Sequence, residues 1–91
     1  MKRYQSADRT YYFDDENRYH RDNDLPAIEW YDGSKEWFQH GKFHRLTGPA
    51  GIYTSSVPGD KGYSLWYLNG KRIFVYSQEE FERYLKLKAF I

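Results

Sequence analysis

The chain repeats a short motif, and this repetition constrains its fold more than any other feature of the sequence. The complete unit is WFQHGKFHRLTGPA at residues 37–50, and a looser copy runs from residue 11 to residue 27. A third copy opens as WYLNGK at residues 66–71 and lacks the second half of the motif. Units of about 20–30 residues are too small to bury an apolar face alone, so they stack on their neighbours.

Each copy carries the signals of a β-hairpin. Asn69-Gly70 and Asp32-Gly33 favour tight type I′ turns, which need positive φ at both central residues. Around Asp32-Gly33 the strand register is ambiguous, because two-residue and longer loops both fit. His40-Gly41 takes the place of Asn69-Gly70 in the second unit. Residues 1–9 are polar and are expected to fray or to form a sheet edge. The predicted strands lie at about residues 11–14, 18–20, 27–31, 34–39, 42–45, 50–54, 63–68 and 71–75.

The last part of the chain changes to a helical pattern. Ser77 and Glu80 form a capping box, and Phe81 and Tyr84 begin a row of inward-facing residues at helical spacing. We therefore predict one helix at about residues 78–88, which caps the open end of the stack. The expected fold class is mainly β (α+β): a single domain over residues 1–91, with stacked antiparallel β-hairpin repeats at 10–76 and a C-terminal capping helix at 77–89.

The composition suits a thin core built from aromatic rings. The chain has 91 residues, of which 21% are aromatic, and it has no cysteine, so disulfides and thiolate metal sites are excluded. Large rings bury much area each and can replace many aliphatic contacts. The net charge of +1 makes nucleic acid an unlikely partner. With no long apolar run and no signal peptide, we expect a cytoplasmic protein that does not enter a membrane.

The complete unit resembles a known repeat. Residues 37–50 resemble the pattern W-Y-x-N-G-K-x-H-R-x-x-G-P-A, with Phe38 at the Tyr position and His40 at the Asn position. This repeat occurs in small proteins of tailed bacteriophages and is similar to variant MORN repeats. The resemblance covers about residues 11–71, with Asp24-Leu25 in place of the glycine before Pro26 and Arg72-Ile73-Phe74 in place of a third His-Arg pair. It implies stacked β-hairpins, a phage-like origin and a binding or host-interaction role, and it implies no enzymatic activity.

The two His-Arg pairs are the most suggestive polar features. His20-Arg21 and His44-Arg45 recur at fixed positions of their units. On one face they would form a cationic site for phosphate, nucleotide or acidic side chains, since arginine offers a planar donor fork. The alternative is structural: each histidine bonds a backbone carbonyl, and each arginine pairs with an acidic residue of a neighbouring repeat. Recurrence at fixed repeat positions favours the structural role.

Metal binding and catalysis have little support in the sequence. The histidines His20, His40 and His44 are spread over different repeats, whereas zinc needs about four ligands at tight spacing. The carboxylates at residues 14–16 are expected in a solvated hairpin tip. A catalytic carboxylate needs a pKa that burial has raised, and a solvated tip does not provide this. Neither a nucleophile motif nor a Gly-rich phosphate loop is present. We therefore predict a non-enzymatic protein without a metal or a cofactor.

One spacing breaks the regularity of the repeat. Pro26 and Trp37 are 11 residues apart, whereas Pro49 and Trp66 are 17 apart, with the extra residues in 54–62. Insertions in repeat proteins form loops on one face, which is often the binding face. The predicted partner-binding residues are Arg21, Arg45, His20, His44, Ser55, Ser56, Val57, Pro58, Asp60, Lys61, Tyr53 and Tyr63.

Two functions of different classes fit these features. The first is a non-enzymatic module that binds a larger intracellular protein, as a phage-encoded inhibitor or modulator of a host or defence protein in the host cytoplasm. The second is a small-ligand or nucleic-acid binder that uses the His-Arg pairs on a positive patch. A binding affinity that falls steeply with salt would indicate the ligand or nucleic-acid binder. The near-neutral net charge favours the protein-binding module. The sequence leaves the oligomeric state open.

Overall fold

The structure is a computed structural model that describes residues 1–88, so residue 89 of the predicted helical segment lies outside the described residues. As predicted, the fold is mainly β, with stacked antiparallel hairpins and a C-terminal helix. The elements are β1 Lys2–Gln5, β2 Arg9–Phe13, β3 Ile28–Trp30, β4 Lys35–Glu36, β5 Phe38–Gln39, β6 Lys42–Phe43, β7 Gly51–Tyr53, β8 Tyr63–Leu68, β9 Lys71–Ile73 and α1 Gln78–Lys88.

Seven of these strands form one antiparallel sheet in the order β1-β2-β3-β4-β7-β8-β9, and β5 and β6 form a separate hairpin. The register aligns one row of residues across five strands: Tyr11, Ile28, Glu36, Gly51 and Leu65. Residues directly opposite each other in a sheet point to the same side. We call the side that carries this row the front face and the opposite side the back face.

The strand predicted at residues 34–39 is interrupted at Trp37. The Trp37 N–H donates to the Ala50 carbonyl at 2.7 Å, and the Trp37 carbonyl accepts the His44 N–H at 3.1 Å. The N–H of Trp37 therefore belongs to the hydrogen bonding of the large sheet, and its carbonyl belongs to that of the β5–β6 hairpin. The prediction of one continuous strand was wrong because the chain changes partner at this residue.

The first unit makes the same change of partner at Tyr12. Its N–H donates to the Ala27 carbonyl at 2.8 Å, and its carbonyl accepts the His20 N–H at 3.0 Å. The predicted strand at 18–20 is reduced to an isolated bridge between Tyr19 and Phe13. The expected regular strand does not form because a longer turn precedes it. That turn is held by the Asp14 carboxylate, which accepts the Arg18 N–H at 3.0 Å.

Two type I′ turns are present, and at Asp32-Gly33 the longer of the two possible loops forms. Asn69 and Gly70 have φ of 51° and 82°, and His40 and Gly41 have 47° and 85°. In Asp32-Gly33 only Gly33 has positive φ, at 98°. The Trp30 N–H bonds the Ser34 carbonyl at 2.9 Å, so this hairpin has a three-residue loop. The Asp32 carboxylate accepts the Ser34 N–H at 2.8 Å and closes that loop.

The helix begins where the capping pattern predicts. Ser77 Oγ accepts the Glu80 N–H at 3.1 Å, and the Glu80 carboxylate reaches back to the Tyr76 N–H at 3.2 Å. Phe81 is fully buried against Trp66 and Leu68, with further apolar side chains of the third unit around it. These contacts lie on the back face, because Trp66 alternates with the front-facing Leu65. The helix therefore covers the end of the repeat stack.

The N-terminal segment forms an edge strand. Residues 2–5 pair with β2 along their whole length, and each of them is exposed. Of the two expectations for residues 1–9, the sheet edge is the one observed. Within the described residues, β1 and β9 are the two outer strands of the seven-stranded sheet.

Candidate functional site

The two motif histidines join successive repeat units. His20 Nδ1 accepts the His40 N–H at 3.0 Å, and His44 Nδ1 accepts the Asn69 N–H at 2.8 Å. Each donor lies at the positive-φ turn of the following unit. The structural alternative drawn from the sequence expected a backbone carbonyl as partner, and this detail was wrong. The histidine is instead the acceptor for a turn N–H that would otherwise have no partner in its own hairpin.

A second hydrogen bond completes each junction. The Gly41 N–H donates to the Tyr19 carbonyl at 2.8 Å, and the Gly70 N–H donates to the Phe43 carbonyl at 2.9 Å. Two consecutive turn amides therefore bind the preceding hairpin. In the third unit Ile73 stands at the histidine position and packs beside the buried cluster under the helix. The unit without a His-Arg pair is thus the last of the three, and α1 follows it in the chain.

Arg21 is held by the first unit and by the adjacent strand β3, so its acidic partner does not come from a neighbouring repeat, although the structural alternative expected one there. Its guanidinium lies 3.8 Å from the centre of the Tyr12 ring. Its Nη1 donates to the Pro26 carbonyl at 3.3 Å and to the Glu29 carboxylate at 3.0 Å. Glu29 is on the back face, since it is the neighbour of front-facing Ile28. The side chain is 19% exposed, so most of the cation is covered by these contacts.

Arg45 has the matching geometry in the second unit. Its guanidinium lies 3.8 Å from the centre of the Trp37 ring, and its Nη1 donates to the Pro49 carbonyl at 3.3 Å. Its Nε donates to Asp24 at 2.9 Å, and the Thr47 hydroxyl donates to the same carboxylate at 2.6 Å. The hydrogen bond from Arg45 keeps the pKa of Asp24 below its ordinary value. The arginine pairs with a carboxylate of the preceding unit, as the structural alternative expected.

The carboxylate of Asp14 organises the first hairpin turn. It accepts hydrogen bonds from the Glu16 and Arg18 N–H groups, from the Arg18 side chain and from His40 Nδ1. Burial alone raises the pKa of Asp14, but these hydrogen bonds outweigh it and hold the pKa well below its ordinary value. Asp14 is 7% exposed, so the expectation of a wholly solvated hairpin tip was wrong for this residue.

His40 lies between Asp14 and His20. Its ring stacks on the His20 ring at 3.9 Å, and His20 Nε2 bonds the Asp22 carboxylate at 2.8 Å. Among residues 1–88, no group of three or more His, Cys, Asp or Glu has the arrangement needed to hold a metal ion. The imidazoles and carboxylates of this region bind one another.

The insertion forms an exposed loop at the end of β7 and β8. Ser55 Oγ accepts the Val57 N–H at 3.1 Å, and the Asp60 carboxylate accepts the Gly62 N–H at 2.8 Å. Gly62 has φ of 75°, and a Cβ there would meet the Tyr53 carbonyl oxygen, so glycine is required. Val57 is 60% exposed. The predicted contact residues Ser56, Val57, Pro58, Asp60 and Lys61 are all exposed, and Ser55 is half-buried.

A shallow pocket opens on the front face beside this loop. Its volume is about 310 Å³. Glu36 lies in it and accepts hydrogen bonds from Trp30 Nε1 at 2.9 Å and from the Tyr53 hydroxyl at 2.7 Å. The Tyr53 and Tyr63 rings stack with their centres 4.9 Å apart. We call it the loop-end pocket; its lining residues are Trp30, Asp32, Ser34, Glu36, Tyr53, Thr54 and Tyr63.

Burial and the Glu36 carboxylate together raise the pKa of the Tyr53 hydroxyl far above its ordinary value. The hydroxyl therefore keeps its proton and acts as a donor to Glu36. Burial also lowers the pKa of His44, which agrees with its role as an acceptor for the Asn69 N–H.

The predicted binding residues separate into two groups. Tyr53, Tyr63 and the insertion loop meet at one end of the front face, whereas Arg21 contacts Glu29 on the back face. Sequence reasoning missed Glu36, and the predicted contact residues did not include Trp30, although its ring was one of those that could anchor a partner. The sequence did contain a signal for Glu36. The residue just before the aromatic residue that begins the motif is Tyr11 in the first unit and Leu65 in the third, but Glu36 in the second. The second unit therefore has a charged residue where the other two have an apolar one.

No protein-family model matches the chain, and neither the curated proteins nor the solved structures contain a significant match to it. Within residues 1–88, no helix has both the length and the apolar character needed to cross a bilayer.

Proposed function

We propose that this protein is a non-enzymatic module that binds a larger protein partner through one end of its front face. This loop-end surface consists of the loop-end pocket, the insertion loop at residues 55–62 and the turn at 31–34. The turn and the loop are joined, since Ser34 Oγ accepts the Thr54 N–H at 3.0 Å and the Thr54 hydroxyl donates to the Asp32 carbonyl at 3.0 Å.

The observation that carries this proposal is the exposure of two large apolar side chains on this surface. Val57 and Tyr63 are 60% and 62% exposed. Exposed apolar side chains rimmed by polar groups are typical of protein-binding surfaces, and tyrosine is a common anchor residue. The loop that presents Val57 is already held by its own hydrogen bonds, which lowers the entropy lost on binding.

The alternative of a phosphate or nucleic-acid site at the His-Arg pairs gains no support from the contacts of these pairs. Arg21 and Arg45 each bind a carboxylate, a carbonyl and a ring within the chain. A phosphate would have to replace those contacts. The partner class that we propose to test first is a bacterial host or defence protein, inhibited or modulated by binding, because the repeat resembles those of tailed-phage proteins.

The proposal is tested by capturing a partner with the tagged protein, purifying that partner and measuring its dissociation constant. The double substitution Val57→Ser and Tyr63→Ser removes the apolar groups of the loop-end surface. The matched control is Leu46→Ser with Tyr76→Ser, because these side chains are similarly exposed at 60% and 78%. We expect at least a tenfold weaker affinity for the first variant and less than a twofold change for the control. Equal affinities of both variants would contradict the proposal.

A further inference from the structure

Glu36 is the charged member of an otherwise uncharged row on the front face. In the order of the strands the row reads Tyr11, Ile28, Glu36, Gly51 and Leu65. A carboxylate that is half-buried among rings costs desolvation free energy unless it has strong partners. Its presence at this position therefore needs a physical reason.

The site around Glu36 is built to hold the carboxylate in place. Trp30 Nε1 donates to one oxygen and the Tyr53 hydroxyl donates to the other. Gly51, the neighbour of Glu36 in the row, leaves room for this arrangement. A Cβ at Gly51 would lie 2.7 Å from the Tyr53 ring and 2.8 Å from the Phe43 ring. The tyrosine can fold over β7 and reach Glu36 because residue 51 has no side chain.

Both donors to Glu36 are neutral, so neither of them compensates its negative charge. No ion pair formed among residues 1–88 includes Glu36, and none includes Asp32, the other carboxylate of the pocket. A carboxylate offers about four acceptor positions, and Glu36 uses two of them. The pocket thus combines a net negative charge, free acceptor positions and aromatic walls.

Aromatic walls and a carboxylate are the groups that bind an organic cation. The rings of this chain already bind cations, since the Arg9 guanidinium lies 4.5 Å from the centre of the Trp30 ring. A guanidinium fork binds best when it donates to both carboxylate oxygens at once, and each oxygen of Glu36 already accepts one hydrogen bond. An ammonium group is a compact point charge that needs only one free acceptor position.

We propose that the loop-end pocket binds the ammonium group of a lysine side chain that the partner presents. In this arrangement Glu36 neutralises the ammonium, and the exposed ring of Tyr63 covers the aliphatic stem. This inference rests on the proposed function, because the lysine belongs to the partner that the loop-end surface contacts. It adds a charge-dependent contact to a surface on which Val57 supplies only apolar contact.

The test uses small probes, so it does not need the partner. The full chain, labelled with ¹⁵N, is titrated with N-acetyl-lysine N-methylamide while the Trp30 Nε1–H signal is followed by NMR. The control probe is N-acetyl-norleucine N-methylamide, which has a similar stem and no charge. We expect a saturable shift of the Trp30 signal with the lysine probe, a much smaller shift with the norleucine probe, and weaker binding at high salt.

Two variants locate the site, and a third controls for charge. Glu36→Gln removes the charge but retains an acceptor, and Tyr63→Ala removes one wall without touching the hydrogen bonds of Glu36. Glu79→Gln is the matched control, because Glu79 is an exposed carboxylate on α1. We expect at least a fivefold loss of lysine-probe affinity in Glu36→Gln and in Tyr63→Ala, and no change in Glu79→Gln. If Glu36→Gln does not fold, the Tyr63→Ala result decides the question.

Equal shifts with both probes, or an unchanged affinity in Tyr63→Ala, would overturn the lysine site. This failure differs from a failure of the proposed function. A protein that ignores the lysine probe but loses its partner on substitution of Val57 and Tyr63 would contradict only the lysine site. A protein that binds the probe at Glu36 but captures its partner through another surface would contradict the proposed function and the assignment of the lysine to that partner, and would leave only the ammonium site at Glu36.

Discussion

At the scale of single residues, His44 serves as an acceptor between two repeat units. Its Nδ1 takes the Asn69 N–H, and an imidazole protonated on both nitrogens could not do this. Burial lowers the pKa of His44 in the folded protein, so the unfolded chain gains its proton first as the pH falls. The stabilisation is complete above the unfolded pKa of about 6.5 and declines as the pH falls below it.

This predicts that His44→Asn reduces the dependence of stability on pH. The asparagine Oδ1 can still accept the Asn69 N–H, but it does not titrate. Urea unfolding at pH 7.5 and at pH 5.5 should show a smaller loss of the free energy of unfolding in the variant than in the parent protein. Equal losses in both proteins would show that His44 is not the acceptor on which the junction depends.

Arg45 is expected to act on stability and not on binding. It combines a cation–π contact with Trp37 and an ion pair with Asp24, so Arg45→Ala should lower the free energy of unfolding by about 1–2 kcal/mol. Arg83→Ala removes an exposed helical pair and should change it by less than about 0.5 kcal/mol. Denaturant unfolding measures both. Normal stability of Arg45→Ala together with lost partner binding would support the cationic site instead.

The sequence predicted the structural role of the His-Arg pairs through their recurrence, but not the partners of each group. The acidic partner of Arg45 lies 21 positions earlier in the chain, at Asp24. Pairing over that distance depends on how the units stack, and spacing within one unit does not contain this information. Glu36 was missed for the same reason, because its donors Trp30 and Tyr53 come from two other strands.

At the scale of elements, the helix and the turns were predictable because their signals are local. Ser77 and Glu80 mark the helix start within four residues, and Asn69-Gly70 adopts the positive φ values that its sequence favours. The split at Trp37 could not be predicted, since no glycine, proline or other turn residue interrupts residues 35–39. Only the competition between two sets of backbone partners, Ala50 and His44, ends one strand and starts the next.

The helix should be essential to the stability of the last unit. Phe81 has no exposed surface and packs against Trp66 and Leu68. Phe81→Ala should therefore cost about 3–5 kcal/mol, which is a large share of the stability of a small domain. Leu87→Ala, at a position 63% exposed on the same helix, is the control and should cost less than about 0.5 kcal/mol. A Phe81→Ala protein with an unchanged Tm would show that the helix is an appendage.

At the scale of the whole molecule, the protein is a slab with extents of 42 × 39 × 18 Å. A slab this thin has little interior, so rings such as Phe13, Phe38 and Tyr67 remain half-buried on the sheet. The abundance of aromatic residues predicted this kind of core. It could not indicate which rings serve the fold and which face a partner, because both sets occur on strands with the same alternation.

The central claim is that a partner docks on the loop-end surface. The most direct measurement is site-specific photocrosslinking, with benzoylphenylalanine placed at residue 57 in one protein and at residue 46 in another. Val57 and Leu46 are both 60% exposed, so accessibility alone gives equal crosslinking. We predict a crosslink to the purified partner from position 57 and none from position 46. Crosslinking from position 46 alone, or equally from both positions, would contradict the claim.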